Sequence, residues 1–234
     1  MKHVYILEHR TWPIPDRGQL HLAERGFEVR RIATFKGDAV SELSPDTAGV
    51  VIMGGPQYVS HLDEFPYLRG EIDLAGRTMD AGVPLLGICL GGQIIAAHLG
   101  AAIDFHPDGK VAYGYYPLRP TEVGQGFAPE GLHVPAGNAQ GFDPPPGAEL
   151  LAEGEPFPNQ AFRVNEKTYG FQFHPEINRA MLDQWQIKFA DNHGKPGAQS
   201  RETQDDLHAA HDGALHGWFT GFLDRLFGTA NSRL

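Results

Sequence analysis

The chain has a single cysteine, Cys89, among 234 residues. It can form no internal disulfide and no cysteine-rich zinc site, and its thiol content fits a reducing compartment. No run approaches the ~20 apolar residues that a membrane-spanning helix needs. The opening residues Met1-Lys2-His3-Val4-Tyr5-Ile6-Leu7-Glu8 read directly as a strand, without the apolar stretch and cleavage site of a secretory leader. Basic residues are scarce and unclustered: 19 Lys and Arg stand against 29 Asp and Glu, a net charge of −10. That balance argues against a nucleic-acid or anionic-membrane partner. The twelve histidines include His208 and His211 at helical spacing, with His216 beyond, yet no cysteine and no clear carboxylate completes a zinc set there. The expectation is an acidic cytoplasmic protein with no metal centre and no cofactor.

What is present is a hydrophobic fraction of 41 %, enough for one large domain. Residues 3–8 predict a first strand, followed by a loop with Pro13, Pro15 and Asp16, a helix from Gly18 to Arg25, and Gly26 as its stop. Phe27 to Ala33 reads as a second strand, 38–48 as irregular or weakly helical, and Gly49 to Met53 as a buried third strand ending in Gly54-Gly55-Pro56-Gln57. A helix over Tyr67 to Ala81 leads to a short apolar strand at 83–86, then to a helix that Gly100 caps. Strands separated by helices predict an α/β fold with a doubly wound, mostly parallel sheet, whose site lies outside the carboxyl ends of the strands. The second half changes character. Short β-like runs (101–105, 115–119, 160–164, 169–173), broken by proline and glycine, predict a small antiparallel section, with 141–147 a loop. Met181 to Ala190 reads as a helix, and Gln204 to Phe227 as an amphipathic helix docked by Leu207, Ala210, Ala214, Leu215, Trp218, Phe219, Phe222, Leu223 and Leu226.

The stretch that organises the chain is Gly87-Ile88-Cys89-Leu90-Gly91. Lying between an apolar strand and a helix, it is the cysteine version of the nucleophile elbow, in which a sharp turn lifts the nucleophile above the sheet. A Cβ at position 87 or 91 would meet neighbouring backbone. A thiol at a helix N-terminus also feels the positive end of the dipole, which favours the thiolate. By itself a lone cysteine is more often a small core residue; the strand-turn-helix setting makes Cys89 a nucleophile candidate. Such a nucleophile needs a base and an orienting group. Tyr169-Gly170-Phe171-Gln172-Phe173-His174-Pro175-Glu176 supplies both: an aromatic strand delivers His174, and Glu176, two residues on, points to the same side if Pro175 keeps the backbone extended. Attack on a carbonyl creates an oxyanion, for which the N–H of Leu90 and one from the Gly54-Gly55 turn are the natural donors. That turn lacks the Gly-Lys-Ser/Thr ending of a phosphate loop, so a nucleotide site is discarded.

Met-Gly-Gly-Pro, Gly-Ile-Cys-Leu-Gly-Gly-Gln and Phe-His-Pro-Glu, in this order, resemble the class I (triad-type) glutamine amidotransferases over about Val4 to Trp185. The similarity is nearest to stand-alone proteins like the amidotransferase part of GMP synthase. The resemblance implies one such domain over 1–234, a flavodoxin-like three-layer sandwich. It also implies a glutaminase activity: Cys89 attacks the side-chain amide of glutamine, His174 protonates the departing ammonia, Glu176 orients His174, and water hydrolyses the γ-glutamyl thioester. Gly55 and Leu90 match oxyanion-hole positions. Gly54, Gln93, Asn138, Gln140 and Phe142 are expected along the substrate. Many relatives carry Trp-His-Gly-Asp where this chain has Gly137-Asn138-Ala139-Gln140, so amides stand where a histidine and an aspartate are expected; Ala112-Tyr113-Gly114 replaces a frequent Glu-Ile-Gly. No ATP-binding or acceptor domain is legible, which leaves a separate ammonia-accepting synthetase subunit as the expected partner and a homo-oligomer open. Two other readings stand beside it: hydrolysis of another γ-glutamyl amide or peptide, and a non-catalytic regulatory module on the same fold. An α/β-hydrolase fits less well, because its acid precedes the histidine whereas Glu176 follows His174.

Overall fold

The computed structural model describes residues 1–11, 14–40 and 42–230; Pro13, assigned above to the loop after the first strand, lies outside them. The elements run β1 (His3–Leu7), α1 (Arg17–Glu24), β2 (Glu28–Ile32), β3 (Thr47–Ile52), α2 (Leu68–Asp80), β4 (Leu85–Ile88) and α3 (Leu90–His98). After these come β5 (Ile103–Phe105), β6 (Ala112–Pro117), β7 (Arg119–Pro120), β8 (His133–Asn138), β9 (Gln140–Phe142), β10 (Glu149–Glu153), β11 (Asn159–Asn165) and β12 (Thr168–Phe171). Two helices follow, α4 (Arg179–Lys188) and α5 (Arg201–Phe227).

The main sheet has the order β2-β1-β3-β4-β12-β11-β10-β7. From β2 to β12 every pairing is parallel; from β12 to β7 every pairing is antiparallel. Two-stranded antiparallel ladders, β5 with β9 and β6 with β8, lie outside it. The central strands are apolar on both sides, as a sheet covered by helices on each face requires. Alternate residues feed different cores. Val4, Ile6, Val51, Leu86 and Ile88 face α1 and α5, whereas Tyr5, Leu7, Val50, Ile52 and Leu85 face α2 and α3. The result is three layers, in line with the doubly wound, mostly parallel sheet and small antiparallel section that the sequence predicts.

Local chemistry sets the boundaries. Asp16 caps α1 by accepting the Gln19 N–H at 2.8 Å. Beyond α3, Gly100 adopts φ +85°, and the bonds Gly100 N–H to Ala97 O and Ala101 N–H to Ala96 O, both 3.0 Å, close a Schellman motif. Several expected limits move. The strand expected at 83–86 is Leu85–Ile88, because Gly87 stays in the ladder opposite Gly170 and the turn waits for Cys89. The third strand starts at Thr47, before the expected Gly49. Strands β8, β9 and β10 were not expected; Pro135, Gly137 and Gly141 interrupt the alternation in β8 and β9, and the expected loop at 141–147 begins after Phe142.

The docking stripe of α5 is also corrected. Leu215, Trp218, Phe219, Phe222 and Leu223 are buried, but Ala210 and Ala214 are exposed. Towards its N-terminus the helix instead buries polar groups: His208 Nδ1 meets the Tyr115 hydroxyl at 2.8 Å, and Gln204 donates to the Tyr113 carbonyl at 3.3 Å. His211 stacks on His133 with ring centroids 3.9 Å apart. Among the described residues no helix is long and apolar enough to cross a membrane, and no three His, Cys, Asp or Glu side chains gather as a metal site.

Two glycines separate close packing from helix propensity. A Cβ on Gly91 would stand 1.9 Å from the Ile52 carbonyl oxygen, while one on Gly217, within α5, meets nothing within 4 Å. Gly217→Ala is expected to raise stability by about 0.5–1 kcal/mol, and Gly91→Ala to lower it by about 1–3 kcal/mol or more. Urea denaturation midpoints check both.

Candidate active site

The strand order places the reversal between β1 and β3, where open α/β sheets bind their ligands at the carboxyl ends. Segments leaving the carboxyl ends of four adjacent parallel strands meet there: His9-Arg10 after β1, Met53-Gly54-Gly55 after β3, Cys89 after β4, and Gln172-Phe173-His174 after β12. They border a cavity of about 290 Å³.

Cys89 is the only non-glycine residue with positive φ among those described, at φ 49° and ψ −105°. Such a conformation costs about 1–3 kcal/mol and persists only where its surroundings impose it. Here they do. The Cys89 N–H donates to the Phe171 carbonyl of β12 at 2.7 Å, and the Cys89 carbonyl accepts the Gln93 N–H at 2.9 Å to start α3. The helix passes so close to the sheet that a Cβ on Gly87 would lie 2.4 Å from Gly91 backbone. Cys89 caps the start of α3 and is 5 % exposed.

His174 and Glu176 meet as a pair, with Nδ1 donating to Glu176 Oε1 at 2.8 Å and both residues buried. The route differs from the expected extended segment. The Ile177 N–H returns to the His174 carbonyl at 3.3 Å, closing a β-turn with Pro175 at its second position, where a fixed φ suits it. The pair is held from several sides. The Pro135 carbonyl accepts the His174 N–H at 2.8 Å, the Arg17 N–H donates to the Glu176 carbonyl at 3.2 Å, and Trp185 meets the His174 ring edge-on at 4.7 Å. Among the described residues His174 Nε2 finds no hydrogen bond of good geometry. Burial disfavours a charged imidazole, but the Glu176 carboxylate and the Cys89 sulfur beside it outweigh burial and raise its proton affinity. Gly54 lies against both groups: an added Cβ would stand 2.5 Å from His174 Cε1 and 3.4 Å from Cys89 Cβ.

Of the other expected residues, Gly54, Gly55, Leu90, Gln93, Asn138 and Gln140 border the cavity. The N–H groups of Gly54, Gly55 and Leu90 donate to no described protein group. Gln93 is committed elsewhere: its amide nitrogen donates to the Gln140 carbonyl at 3.0 Å and to Gln172 Oε1 at 3.2 Å. Asn138 donates to the same Gln140 carbonyl at 2.9 Å, and the Gln140 side chain donates to Ser60 Oγ at 2.6 Å. Phe142 does not border the cavity. Its ring packs edge-on against Phe162 in the core, because β9 turns that side chain toward α3.

Three residues escaped the sequence. Gln172 is fully buried and donates to Cys89 Sγ at 3.7 Å; the Phe-Gln-Phe alternation was its signal, since Phe171 and Phe173 stack on each other in the core and Gln172 must face the other way. Arg10 borders the cavity, paired with Asp16 at 2.9 Å. Burial pushes Asp16 up to about 6, against the pull of Arg10 and with further upward push from Glu176. Trp185 forms a wall of the cavity and fills the space beside Gly137.

Comparison with known proteins fits this geometry. Residues 20–186 match the family model for class-I glutamine amidotransferase domains. The chain is 30 % identical over 184 residues to the glutamine amidotransferase-like protein YfeJ of Salmonella typhimurium, covering 74 % of this chain and 76 % of that one. It is 32 % identical over 157 residues to the glutamine-hydrolysing GMP synthase of Streptococcus mutans, covering 64 % of this chain but only 28 % of the synthase. A solved glutamine amidotransferase from Methylobacillus flagellatus shares the fold, with a TM-score of 0.88 at 23 % identity, covering 100 % of this chain and 98 % of that one.

The raised proton affinity of His174 has a consequence for stability. Its contribution is complete below the ordinary imidazole value of 6.5 and is lost as pH rises through about 10. Glu176→Gln removes the main upward push, so wild type and variant are expected to differ in urea midpoint at pH 6 and to converge towards pH 10. A gap that stays constant across this range would assign the effect to packing instead.

Proposed function

Because the chain belongs to the class-I glutamine amidotransferase family, we propose that it hydrolyses the side-chain amide of glutamine with Cys89, His174 and Glu176 as its triad. His174 Nε2 takes the Cys89 thiol proton as the sulfur forms a bond to the γ-carbonyl carbon and the carbonyl π electrons move onto oxygen. The oxyanion is received by the N–H groups of Leu90 and Gly55, with Gly54 beside them. His174, its Nδ1 bonded to Glu176 Oε1, gives the Nε2 proton to the departing nitrogen. Ammonia leaves, and a γ-glutamyl thioester remains on Cys89. His174 then takes a proton from water as the water oxygen attacks the thioester carbon; collapse breaks the C–S bond and releases glutamate, and His174 returns the proton to the Cys89 sulfur. The observation that carries this reading is the convergence of one thiol, one buried histidine–carboxylate pair and unpaired backbone N–H groups at adjacent strand ends.

The GMP synthase relatives are named as glutamine-hydrolysing, and most of their length lies outside the matched part. By analogy, the ammonia formed here passes to a separate ammonia-accepting synthetase. A second reading, another γ-glutamyl amide or peptide as substrate, is favoured by one feature. Val111, Met181, Trp185 and Phe189 give the cavity an apolar wall, with Arg10 beside it, where a substituent on the leaving nitrogen would be accommodated.

Purified wild-type protein is expected to release ammonia from glutamine, and Cys89→Ala to lose about a thousandfold or more of that rate. Equal release from both proteins would remove Cys89 from the reaction and favour a regulatory module. Turnover of γ-glutamyl dipeptides with glutamine left intact would select the second reading.

A further inference from the structure

Behind the Gly54-Gly55 turn lies a second histidine–carboxylate pair that the reaction above leaves unused. His9 follows β1 and Glu71 lies in α2, and both side chains are completely buried. His9 Nδ1 stands 3.1 Å from the Met53 carbonyl oxygen, and Nε2 stands 2.8 Å from Glu71 Oε2. The Thr34 hydroxyl donates to the other carboxylate oxygen. A carbonyl oxygen only accepts, so Nδ1 carries a hydrogen and donates it. One more proton lies between Nε2 and Oε2. Whichever atom holds it, the pair is neutral as a unit, which suits complete burial.

The Met53 carbonyl shares its peptide plane with the Gly54 N–H and points the opposite way. Fixing that oxygen against His9 therefore fixes the direction of the Gly54 N–H and the start of the turn that presents Gly55. The Met53 N–H is held in turn by the Leu7 carbonyl at 3.0 Å. Gly55 lies flat against the same side chain: a Cβ there would stand 2.4 Å from His9 Cβ and 3.0 Å from Cγ. A buried pair of this kind is a poor source of stability, since apolar groups of similar volume serve as well or better. Its use is better sought in the atom it holds.

We propose that His9, braced by Glu71 and Thr34, is a positioning residue that aims the Gly54 and Gly55 N–H groups at the carbonyl attacked by Cys89. The proposal rests on the hydrolytic reading above. It acts through the turn, and His9 itself touches no reacting atom.

Two substitutions divide the contacts of His9. His9→Asn keeps an N–H donor where Nδ1 stood and gives up Glu71; His9→Gln reaches towards Glu71 and gives up Met53. With glutamine as substrate, His9→Gln is expected to lower kcat about tenfold or more while KM stays within about twofold, and His9→Asn to recover most of that loss. Thr34→Val, the mildest change, is expected to cost about threefold in kcat alone. Equal kcat losses in His9→Gln and His9→Asn, or losses confined to KM, would overturn the proposal. Hydrogen exchange at the Gly54 and Gly55 amides provides a readout that needs no turnover: faster in His9→Gln, close to wild type in His9→Asn. If wild type releases no ammonia yet exchange follows this pattern, the hydrolytic reading fails and the brace on the turn remains. Exchange unchanged in His9→Gln and in Thr34→Val overturns the brace whatever the activity.

Discussion

The site depends on one parallel pairing, that of β4 with β12. Leu85 N–H bonds to the Lys167 carbonyl at 2.8 Å, the ladder continues through Gly87 opposite Gly170, and it closes with Cys89 N–H on the Phe171 carbonyl at 2.7 Å. Because the strands run the same way and end level, Cys89 and the segment bearing His174 leave the sheet at the same edge and height. A slip of one residue would turn every side chain of one strand to the other face. The two glycines opposite each other belong to the same constraint: Gly87 lets α3 come down on the sheet, and a Cβ on Gly170 would stand 2.3 Å from the Phe162 ring. Phe162 packs in turn against Phe142, so the aromatic core on that face and the register of Cys89 are set together.

Much of this was legible in the residues. The elbow is a local pattern, in which an apolar strand, a cysteine between glycines and a helix follow within a few positions, and local patterns survive folding. His174 and Glu176 are two residues apart, so their meeting needed no knowledge of the fold, although the path between them did. Pro175 suits the second position of a β-turn as well as it suits an extended chain, and the Ile177 N–H settles which is used. The residues that stayed hidden owe their roles to distant partners. Arg10 and His9 look like ordinary loop residues until β1 is set beside β3. Strands β8 and β9 contain proline and glycine in place of clean alternation, and their pairing with β6 and β5 is what makes them strands. The α5 stripe was right where large apolar residues carry it and wrong where it rested on alanine, because Ala210 and Ala214 have too little surface to compel burial.

The amides around Cys89 form a connected group. Gln172 donates to the Cys89 sulfur, Gln93 supports Gln172, and both Gln93 and Asn138 converge on the Gln140 carbonyl. Asn138 and Gln140 stand where the family resemblance leads one to expect a histidine and an aspartate. Amides hold this corner by hydrogen bonds that do not change with pH. Charge gathers instead around Asp16, which pairs with Arg10 at 2.9 Å and feels Glu176 and Glu8, the latter paired with Arg31.

The presence of only one sulfhydryl has a practical side. Any reagent that alkylates thiols becomes a titrant for the elbow, since each equivalent taken up by this sequence falls on Cys89. Peroxide meets the same arithmetic. A sulfenic acid formed at position 89 finds no neighbouring thiol to condense with, so its repair depends on small thiols diffusing in through the mouth of the pocket, and without them oxidation runs on to the irreversible acids.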